Sequence, residues 1–391
     1  MAVVAGVLAV GLVGYGVWES RRHLRNLERI PVRVHVNGTR GKSSVTRLIA
    51  AGLRAGGIRT FAKTTGTMAR IIWPDGSESD VYRVGRPNII EQTRIVQRVL
   101  ESGAEALVME CMAVAPDLQP VTERLIRSTV GVITNARADH LDVMGPTVDD
   151  VARALAQTAP AKGHLFTAER ERAHLFSEVA NARASVTHVI DEHDATAGDL
   201  AGFSYIEHAG NLALALAVCR HLGMPREGAL TGMQQATPDP GALRRYAVRT
   251  GEKQVTFVNA FAANDPDSTL LIWRRMGLGN AEPGVQRIVL ANCRDDRPQR
   301  SGQIAELIAT RLESDHAVLT GLGTELVAFQ AVRSGLPRER LTDLGGLDAE
   351  RVYERVLDLV VGRAVVVGIG NIVGLGEEIV LHFKNRAVSH G

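Results

Sequence analysis

The stretch VNGTRGKSS (residues 36–44) follows the apolar segment VRVHV (32–36) and precedes a segment with helical spacing (43–56). A loop rich in glycine between a strand and a helix is typical of a phosphate site, because successive backbone N–H groups wrap the anion. Lys42 is placed to reach the β and γ oxygens of a nucleotide, and the Ser43 hydroxyl to hold Mg²⁺. The strict form of this loop has a glycine five residues before Gly41, where this chain has Val36.

Length and composition limit the class of protein. A chain of 391 residues is too long for one ordinary core and predicts about two or three domains. Apolar residues make up 45% and charged residues 23%, which is typical of a globular protein. The net charge of +2 and the 4% of aromatic residues give no argument for nucleic acid as a partner. The three scattered cysteines are interpreted as reduced thiols in the core.

The N-terminus begins with an uncharged apolar run, residues 2–18, followed by the basic stretch ESRRHLRNLER. As a helix, the run would span roughly 26 Å, close to one hydrocarbon core. No basic residue precedes it and the junction is a poor cleavage site, which favours a retained anchor over a secretory signal. The prediction is a single-pass transmembrane helix over residues 1–20 in the cell membrane, with the catalytic part cytoplasmic. The alternative is a buried N-terminal helix.

The rest of the chain alternates strands and helices, which predicts an α/β fold with mainly parallel sheets. EALVMEC (105–111) and TVGVIT (129–134) have the composition of buried strands, and Pro74-Asp75-Gly76 marks the turn of a hairpin. A proline-glycine break at 237–245 separates a central ATP-binding domain (21–240) from a smaller C-terminal α/β domain (241–391).

The loop variant Asn-Gly-Thr-x-Gly-Lys-Ser-Ser resembles that of the Mur ligase superfamily, whose members form amide bonds at the expense of ATP. The resemblance implies that ATP is bound by the whole loop, that is by Asn37, Gly38, Thr39, Arg40, Gly41, Lys42, Ser43 and Ser44. It also implies a central P-loop domain of the Mur ligase type with a C-terminal domain of the same type.

Three further segments are similar to the family's metal and adenine sites. KTTGT (63–67), VMEC (108–111) and ITNARADHLDVMG (133–145) imply Thr65, Glu110 and His140 as Mg²⁺ ligands beside Ser43, with Lys42, Glu110 and His140 as the catalytic set. HAGNLALALAVCRHLG (208–223) implies Asn211 as a nucleotide contact. Taken singly, Glu110 also fits a paired structural carboxylate, and His140 and Asn211 also fit helix caps.

The resemblance extends beyond the break with less specific matches. Arg244 and Asn259 correspond to nucleotide contacts of the family, although Arg244 also fits a solvated arginine at the start of a domain. The segment NCRDDRPQR contains three arginines, Arg294, Arg297 and Arg300. Because the guanidinium fork of arginine matches a carboxylate, they form a candidate substrate clamp, or else a solvated helix cap. The family's carbamylated lysine, roughly fifteen residues after its histidine, falls on Leu155 here, and Lys162 lies too late to replace it.

MECMAV (109–114) and NDPDST (264–269) resemble one branch of the superfamily, the ligase subunits of poly-γ-glutamate synthases, and this likeness runs nearly end to end. It implies an ATP-dependent and Mg²⁺-dependent ligase of capsule biosynthesis that polymerises glutamate through γ-carboxyl amide bonds, by way of an acyl phosphate. It also implies a multi-subunit complex with a small integral-membrane synthase subunit and with export or release subunits. The alternatives are another amino-acid ligase of the superfamily, such as a folylpolyglutamate-type enzyme, and an ATPase that powers polymer export.

Overall fold

The computed structural model describes residues 2–65, 69–82, 88–239, 243–262, 266–280, 282–295, 298–372 and 374–388. Within them the chain forms two compact units, Met1–Asp239 and Pro240–Gly391. Each unit has a parallel-rich sheet with helices against it, as the alternation of strands and helices in the sequence predicts.

The first unit has a sheet with the strand order β4-β3-β2-β5-β1-β6-β7-β8. Its strands are β1 (Val32–Asn37), β2 (Thr60–Lys63), β3 (Arg70–Ile72), β4 (Glu78–Asp80), β5 (Ala106–Glu110), β6 (Val130–Ile133), β7 (His164–Thr167) and β8 (Val186–Val189). Its helices are α1 (Ala2–Glu28), α2 (Lys42–Ala55), α3 (Glu91–Glu101), α4 (Gln119–Ile126), α5 (Leu141–Met144), α6 (Val148–Ala156), α7 (Ala173–Ala182), α8 (Ala197–Ala201), α9 (Ala209–His221) and α10 (Arg226–Gln235).

The centre of this sheet is parallel, and it places the ends of four strands at one edge. β1 pairs in parallel with β5 on one side and with β6 on the other, and β2 extends the parallel set beyond β5. Among the described strands of this sheet, only the hairpin of β3 and β4, with its turn over residues 74–76, runs antiparallel at the margin. The carboxyl ends of β2, β5, β1 and β6 therefore lie side by side, which is where ligands bind in sheets of this kind.

The second unit has the strand order β13-β12-β11-β14-β10-β9, with only β9 antiparallel to its neighbour. Its strands are β9 (Arg244–Thr250), β10 (Lys253–Asn259), β11 (Val285–Cys293), β12 (His316–Gly321), β13 (Leu341–Asp343) and β14 (Arg363–Gly370). Its helices are α11 (Pro266–Arg275), α12 (Pro298–Thr310), α13 (Thr324–Arg333), α14 (Ala349–Leu359) and α15 (Leu375–Asn385). In its core, the ring of Phe257 on β10 stacks against that of Phe383 on α15.

The predicted transmembrane anchor is wrong, and so is the single-pass membrane localisation that depended on it. In the described part of the chain, no helix combines the length and the apolarity that a membrane crossing requires. The apolar run is the first part of α1, which continues without a break through the basic stretch to Glu28. The end of α1 belongs to the core of the first unit, where Leu27 and Ile30 are completely buried beside Ile95 of α3.

Hydrogen bonds also fasten the end of α1 to the sheet. The Arg33 side chain on β1 donates through Nη1 to the carbonyl oxygen of Leu27 at 3.2 Å and through Nε to that of Arg127 at 2.8 Å. His23 Nε2 lies 2.7 Å from the carbonyl oxygen of Leu125. The last turns of α1 are therefore a structural part of the first unit.

We predict that Leu27→Ala lowers the free energy of unfolding by about 2–5 kcal/mol, because it leaves a cavity among fully buried side chains. Leu12→Ala is the matched control in the same helix, since Leu12 is 72% exposed, and its effect should stay within about 0.5 kcal/mol. Urea unfolding of both variants measures the difference. Equal effects of the two substitutions would contradict the packing of this helix end.

Candidate active site

The loop after β1 lies at the sheet edge formed by the carboxyl ends of the parallel strands. Asn37 ends β1, residues 38–41 form the loop, and α2 begins at Lys42 with Gly41 as its N-cap. Glu110 ends β5 and Ile133 ends β6 on the two flanking strands. The positive end of α2 and the loop amides therefore face the same space as the segments that follow β5 and β6.

Two glycines in this loop are required by close contacts. Gly38 has φ 129°, and a Cβ there would lie 2.0 Å from Thr134 Oγ1. Gly41 has φ 83°, and a Cβ there would lie 2.5 Å from Asn211 Oδ1. Asn211, on the first turn of α9, therefore lies directly against the loop, with its Nδ2 donating to Glu207 Oε1 at 2.9 Å.

We predict that the Gly38→Ala variant does not bind nucleotide even at a nucleotide concentration about 100 times the wild-type Kd. The new Cβ would overlap Thr134, and the backbone conformation disfavours any side chain. Gly57→Ala is the matched control, because Gly57 also has positive φ but has open space around it. Titration of each variant with Mg·ADP measures the effect. Equal losses of affinity would show that backbone strain in general, and not the shape of this loop, is responsible.

Side chains after β6 hold the loop backbone in place. Thr39 Oγ1 donates to Asn135 Oδ1 at 2.6 Å, and Asn135 Nδ2 donates to the carbonyl oxygen of Arg40 at 3.0 Å. Thr134 Oγ1 donates to the same carbonyl at 2.6 Å, and the Arg40 guanidinium pairs with Asp139 at 3.3 Å. Thr134 and Asn135 had no predicted role in the sequence, although they lie in the quoted ITN segment. The structure identifies them as the clamp of the loop.

Lys42 folds back over the loop that precedes it. Its Nζ donates to the carbonyl oxygen of Gly38 at 2.7 Å and to that of Thr39 at 3.3 Å. The ammonium group therefore lies at the loop where the backbone N–H groups and the N-terminus of α2 also favour negative charge. Ser44 follows on the first turn of α2 and is half-buried.

Glu110 brings the predicted metal ligands together. Its Oε2 accepts a hydrogen bond from Ser43 Oγ at 2.8 Å and from the Thr65 backbone N–H at 2.7 Å, and the residue is 2% exposed. The Thr65 hydroxyl lies 3.5 Å from the carbonyl oxygen of Cys111. This carboxylate with neighbouring hydroxyl oxygens matches the preference of Mg²⁺ for oxygen ligands, so the residues fit the ion.

His140 lies on the other flank, just before α5. It has φ 53°, a left-handed conformation that is uncommon for a side chain of this size, and its Nε2 is 3.9 Å from Asp139 Oδ1. Among the described residues, no group of three or more His, Cys, Asp or Glu side chains has the arrangement of a metal centre. The role of His140 as a ligand stays a prediction.

The carbamylated lysine implied by the resemblance to Mur ligases has no counterpart at the expected position, which is Leu155. Leu155 on α6 is completely buried in an apolar cluster, and Lys162 lies exposed in a left-handed turn where its N–H bonds to the carbonyl oxygen of Arg183. The structure therefore gives no reason to assign either residue to the site.

In the second unit, two predicted nucleotide contacts are neighbours. Arg244 at the start of β9 and Asn259 at the end of β10 are cross-strand partners, and Asn259 is 1% exposed with Oδ1 accepting the Phe261 N–H at 3.4 Å. Arg244 thus begins a strand, where the sequence suggested a linker.

The predicted substrate clamp is described in part. Arg294 follows the end of β11, and its carbonyl oxygen accepts from Ser301 Oγ at 3.2 Å. Arg300 lies in the first turn of α12. Arg297 lies outside the described residues.

The fold and the loop together define the class of protein. Residues 36–212 match the Mur ligase middle domain family, and the chain resembles solved folylpolyglutamate synthases in fold. The bifunctional folylpolyglutamate synthase/dihydrofolate synthase of Yersinia pestis, complexed with AMPPNP and Mn, aligns with a TM-score of 0.70 at 15% identity over 93% of this chain and 92% of that one. The Mycobacterium tuberculosis folylpolyglutamate synthase, complexed with ADP and AMPPCP, aligns with a TM-score of 0.67 at 16% identity over 98% and 100%.

Sequence relatives identify the branch. Residues 245–386 match the poly-γ-glutamate synthase CapB C-terminal domain. The capsule biosynthesis protein CapB of Bacillus anthracis is 40% identical over 97% of this chain and 82% of that protein. The PGA synthase CapB of Bacillus subtilis is 39% identical over 93% of each. This chain belongs to the CapB family of poly-γ-glutamate synthases.

Proposed function

We propose that this chain is an ATP-dependent acid–amino-acid ligase that polymerises glutamate through its γ-carboxylate. The observation that carries the proposal is the preformed loop of residues 38–41 facing the buried Glu110 carboxylate, in a chain of the CapB family. The names of both relatives and the Mur ligase middle domain support it.

The proposed reaction has two steps. A γ-carboxylate oxygen attacks the γ-phosphorus of ATP, the bond from that phosphorus to the bridging oxygen breaks, and ADP leaves with an acyl phosphate remaining. The α-amine of a second glutamate then attacks the acyl carbon, a C–N bond forms, and phosphate leaves while the amine loses its proton to solvent. Each turnover therefore consumes one ATP for each amide bond.

The residues of the first unit supply mainly position and charge, as is general for phosphoryl transfer. The backbone N–H groups from Gly41 to Ser43, at the N-terminus of α2, and the Lys42 ammonium stabilise the negative charge on the transferring phosphoryl group. Asn211, which lies against Gly41, is proposed as a nucleotide contact. In the second unit, Arg244 and Asn259 are proposed as further nucleotide contacts.

The metal site that we propose is built from oxygen ligands. Ser43, Glu110 and Thr65 would hold Mg²⁺, with His140 as an additional ligand from the segment after β6. When bound, the ion supplies positive charge that offsets the phosphate oxygens. The chain's own part is to orient the Glu110 carboxylate by two hydrogen bonds.

The substrate and the product are polyanions, so we propose that Arg294, Arg297 and Arg300 bind their carboxylates. We also propose partners, namely a small integral-membrane synthase subunit and export or release subunits. The support is chemical, because one relative is named for capsule biosynthesis and a charged polymer needs a protein path to reach a capsule.

The test is the release of ADP by this protein, together with its proposed small partner, in the presence and absence of glutamate. We expect ADP release that requires glutamate and yields a growing γ-linked product. ADP release that no amino acid affects would overturn the proposal in favour of an ATPase of polymer export. ADP release that requires a folate acceptor would favour a folylpolyglutamate-type ligase, which the fold likeness makes the second candidate.

A further inference from the structure

Polar side chains on β1 lie in the interior of the first unit, where a central parallel strand is normally apolar. β1 is covered on both edges by β5 and β6, and its polar residues His35 and Asn37 are each only 1% exposed. Buried polar groups lower stability unless they are hydrogen-bonded. Their position therefore needs a reason other than the formation of the sheet.

Helix α4 presents a matching set of buried polar side chains to this strand. Its Gln119, Thr122 and Glu123 are 0%, 0% and 7% exposed. Asn37 Nδ2 donates to Gln119 Oε1 at 2.9 Å, and His35 Nδ1 lies 3.0 Å from Glu123 Oε2. We call these five residues the buried polar array.

The array contains charge at the end away from the loop. Glu123 accepts hydrogen bonds from Ser128 N–H at 2.8 Å and from Ser128 Oγ at 2.9 Å, which satisfies its carboxylate in the interior. Burial opposes the charged form of His35, but its interactions with Cys111 and with the hydrogen-bonded Glu123 raise the pKa of His35 to about 9. The raised pKa favours the protonated form of His35 beside Glu123 at this end of the array.

The other end of the array reaches the phosphate loop. Asn37 Oδ1 accepts the Gly38 N–H at 2.8 Å, and its Nδ2 bonds both to Gln119 and to Thr158 Oγ1 at 3.1 Å. Gln119 is itself fixed, because its Nε2 donates to the carbonyl oxygen of Ala113 at 3.0 Å. Gln119 on α4 thus orients the side-chain amide of Asn37, which in turn accepts the N–H of Gly38, the first residue of the loop.

We propose that Gln119 is a positioning residue of the phosphate loop, acting through Asn37 on the Gly38 amide, with the His35–Glu123 pair fixing α4 beneath it. Within the array, Asn37 and Gln119 hold the loop from the side of β1, while Thr134 and Asn135 hold it from the side of β6. This inference rests on the proposed function only in that the loop binds a nucleotide.

The test compares Gln119→Met with Thr122→Val. Both residues are completely buried on α4, but the Thr122 hydroxyl donates to the carbonyl oxygen of Gln119 and lies near Cys111, outside the branch to Asn37. Hydrogen exchange of the amides from Gly38 to Lys42 in nucleotide-free protein, and titration with Mg·ADP, are the two measurements. Gln119→Leu also removes the acceptor for Asn37, with a shorter apolar side chain, and serves as the second variant if Gln119→Met does not fold.

We expect Gln119→Met to speed exchange in the loop and to weaken Mg·ADP binding about tenfold, equivalent to one lost hydrogen bond. Thr122→Val should leave both quantities within about twofold of wild type, and Gln119→Leu should change both in the same direction as Gln119→Met. Unchanged exchange in Gln119→Met, or equal changes in Thr122→Val, would overturn the positioning role. A wild-type protein that binds no Mg·ADP would overturn the proposed function, whereas the exchange measurement would still decide on the array.

Discussion

Replacement of Lys42 by alanine should reduce glutamate-dependent ADP release at least about 100-fold, the size of effect found when one group that stabilises transition-state charge is removed. Lys42 Nζ bonds to the carbonyl oxygens of Gly38 and Thr39, so the ammonium group lies over the loop itself. Alanine removes this charge from the place where phosphate charge is expected to develop. The measurement is the initial rate of ADP release at saturating ATP and glutamate.

Two further variants make the result specific to this ammonium group. Lys384→Ala removes a lysine from the exposed end of α15 and should leave the rate within about twofold of wild type. Lys42→Arg keeps the positive charge but replaces a compact ammonium with a planar fork, so we expect little recovery. A Lys42→Ala variant with more than half of the wild-type rate would rule out the phosphate-binding role of the loop.

The shape of the loop between β1 and α2 was predictable from sequence because its residues are contiguous and its glycines are required by local geometry. Gly38 and Gly41 adopt positive φ and approach other side chains too closely for a Cβ. Glu110 was predictable for a related reason, since it ends a buried run that reads as a strand, and the ends of parallel strands meet at one edge.

The contacts that hold the loop were not predictable from sequence, because they join residues far apart in the chain. Asn37 bonds to Thr158 across 121 positions and to Gln119 across 82. No local pattern of residues records such a pair. The strand β8 escaped prediction for another reason, since its four residues are partly exposed and show no alternation between apolar and polar positions.

The N-terminal helix shows why apolarity alone is an insufficient criterion. An uncharged run of membrane length predicted an anchor, but hydropathy does not record what the following turns contact. In the structure those turns end in Leu27, which is buried in the core, and Arg33 bonds to the carbonyl oxygens of that helix end. Tertiary contacts of its last turns, not the composition of the apolar run, determine where the end of this helix packs.

Glu110→Gln tests the metal site with the least disturbance of the fold. Ser43 Oγ and the Thr65 N–H both donate to Glu110 Oε2, and the amide oxygen of glutamine at that place accepts from both, so both hydrogen bonds survive. What the substitution removes is the negative charge that a divalent cation requires. The stability of the protein should therefore change little, in contrast to its activity.

We expect Glu110→Gln to lower glutamate-dependent ADP release at least about 100-fold and to raise the Mg²⁺ concentration needed for half-maximal rate, because a neutral amide is a poor ligand for a hard cation. Glu101→Gln, at the exposed end of α3, is the control for loss of one carboxylate and should behave as wild type. A rate and a Mg²⁺ requirement within about threefold of wild type in Glu110→Gln would contradict metal binding by this carboxylate. In that case its contacts with Ser43 and Thr65 would be structural, joining the loop to the strand beside it. A lower rate with an unchanged Mg²⁺ requirement would instead indicate that the carboxylate orients Ser43 and does not bind the ion.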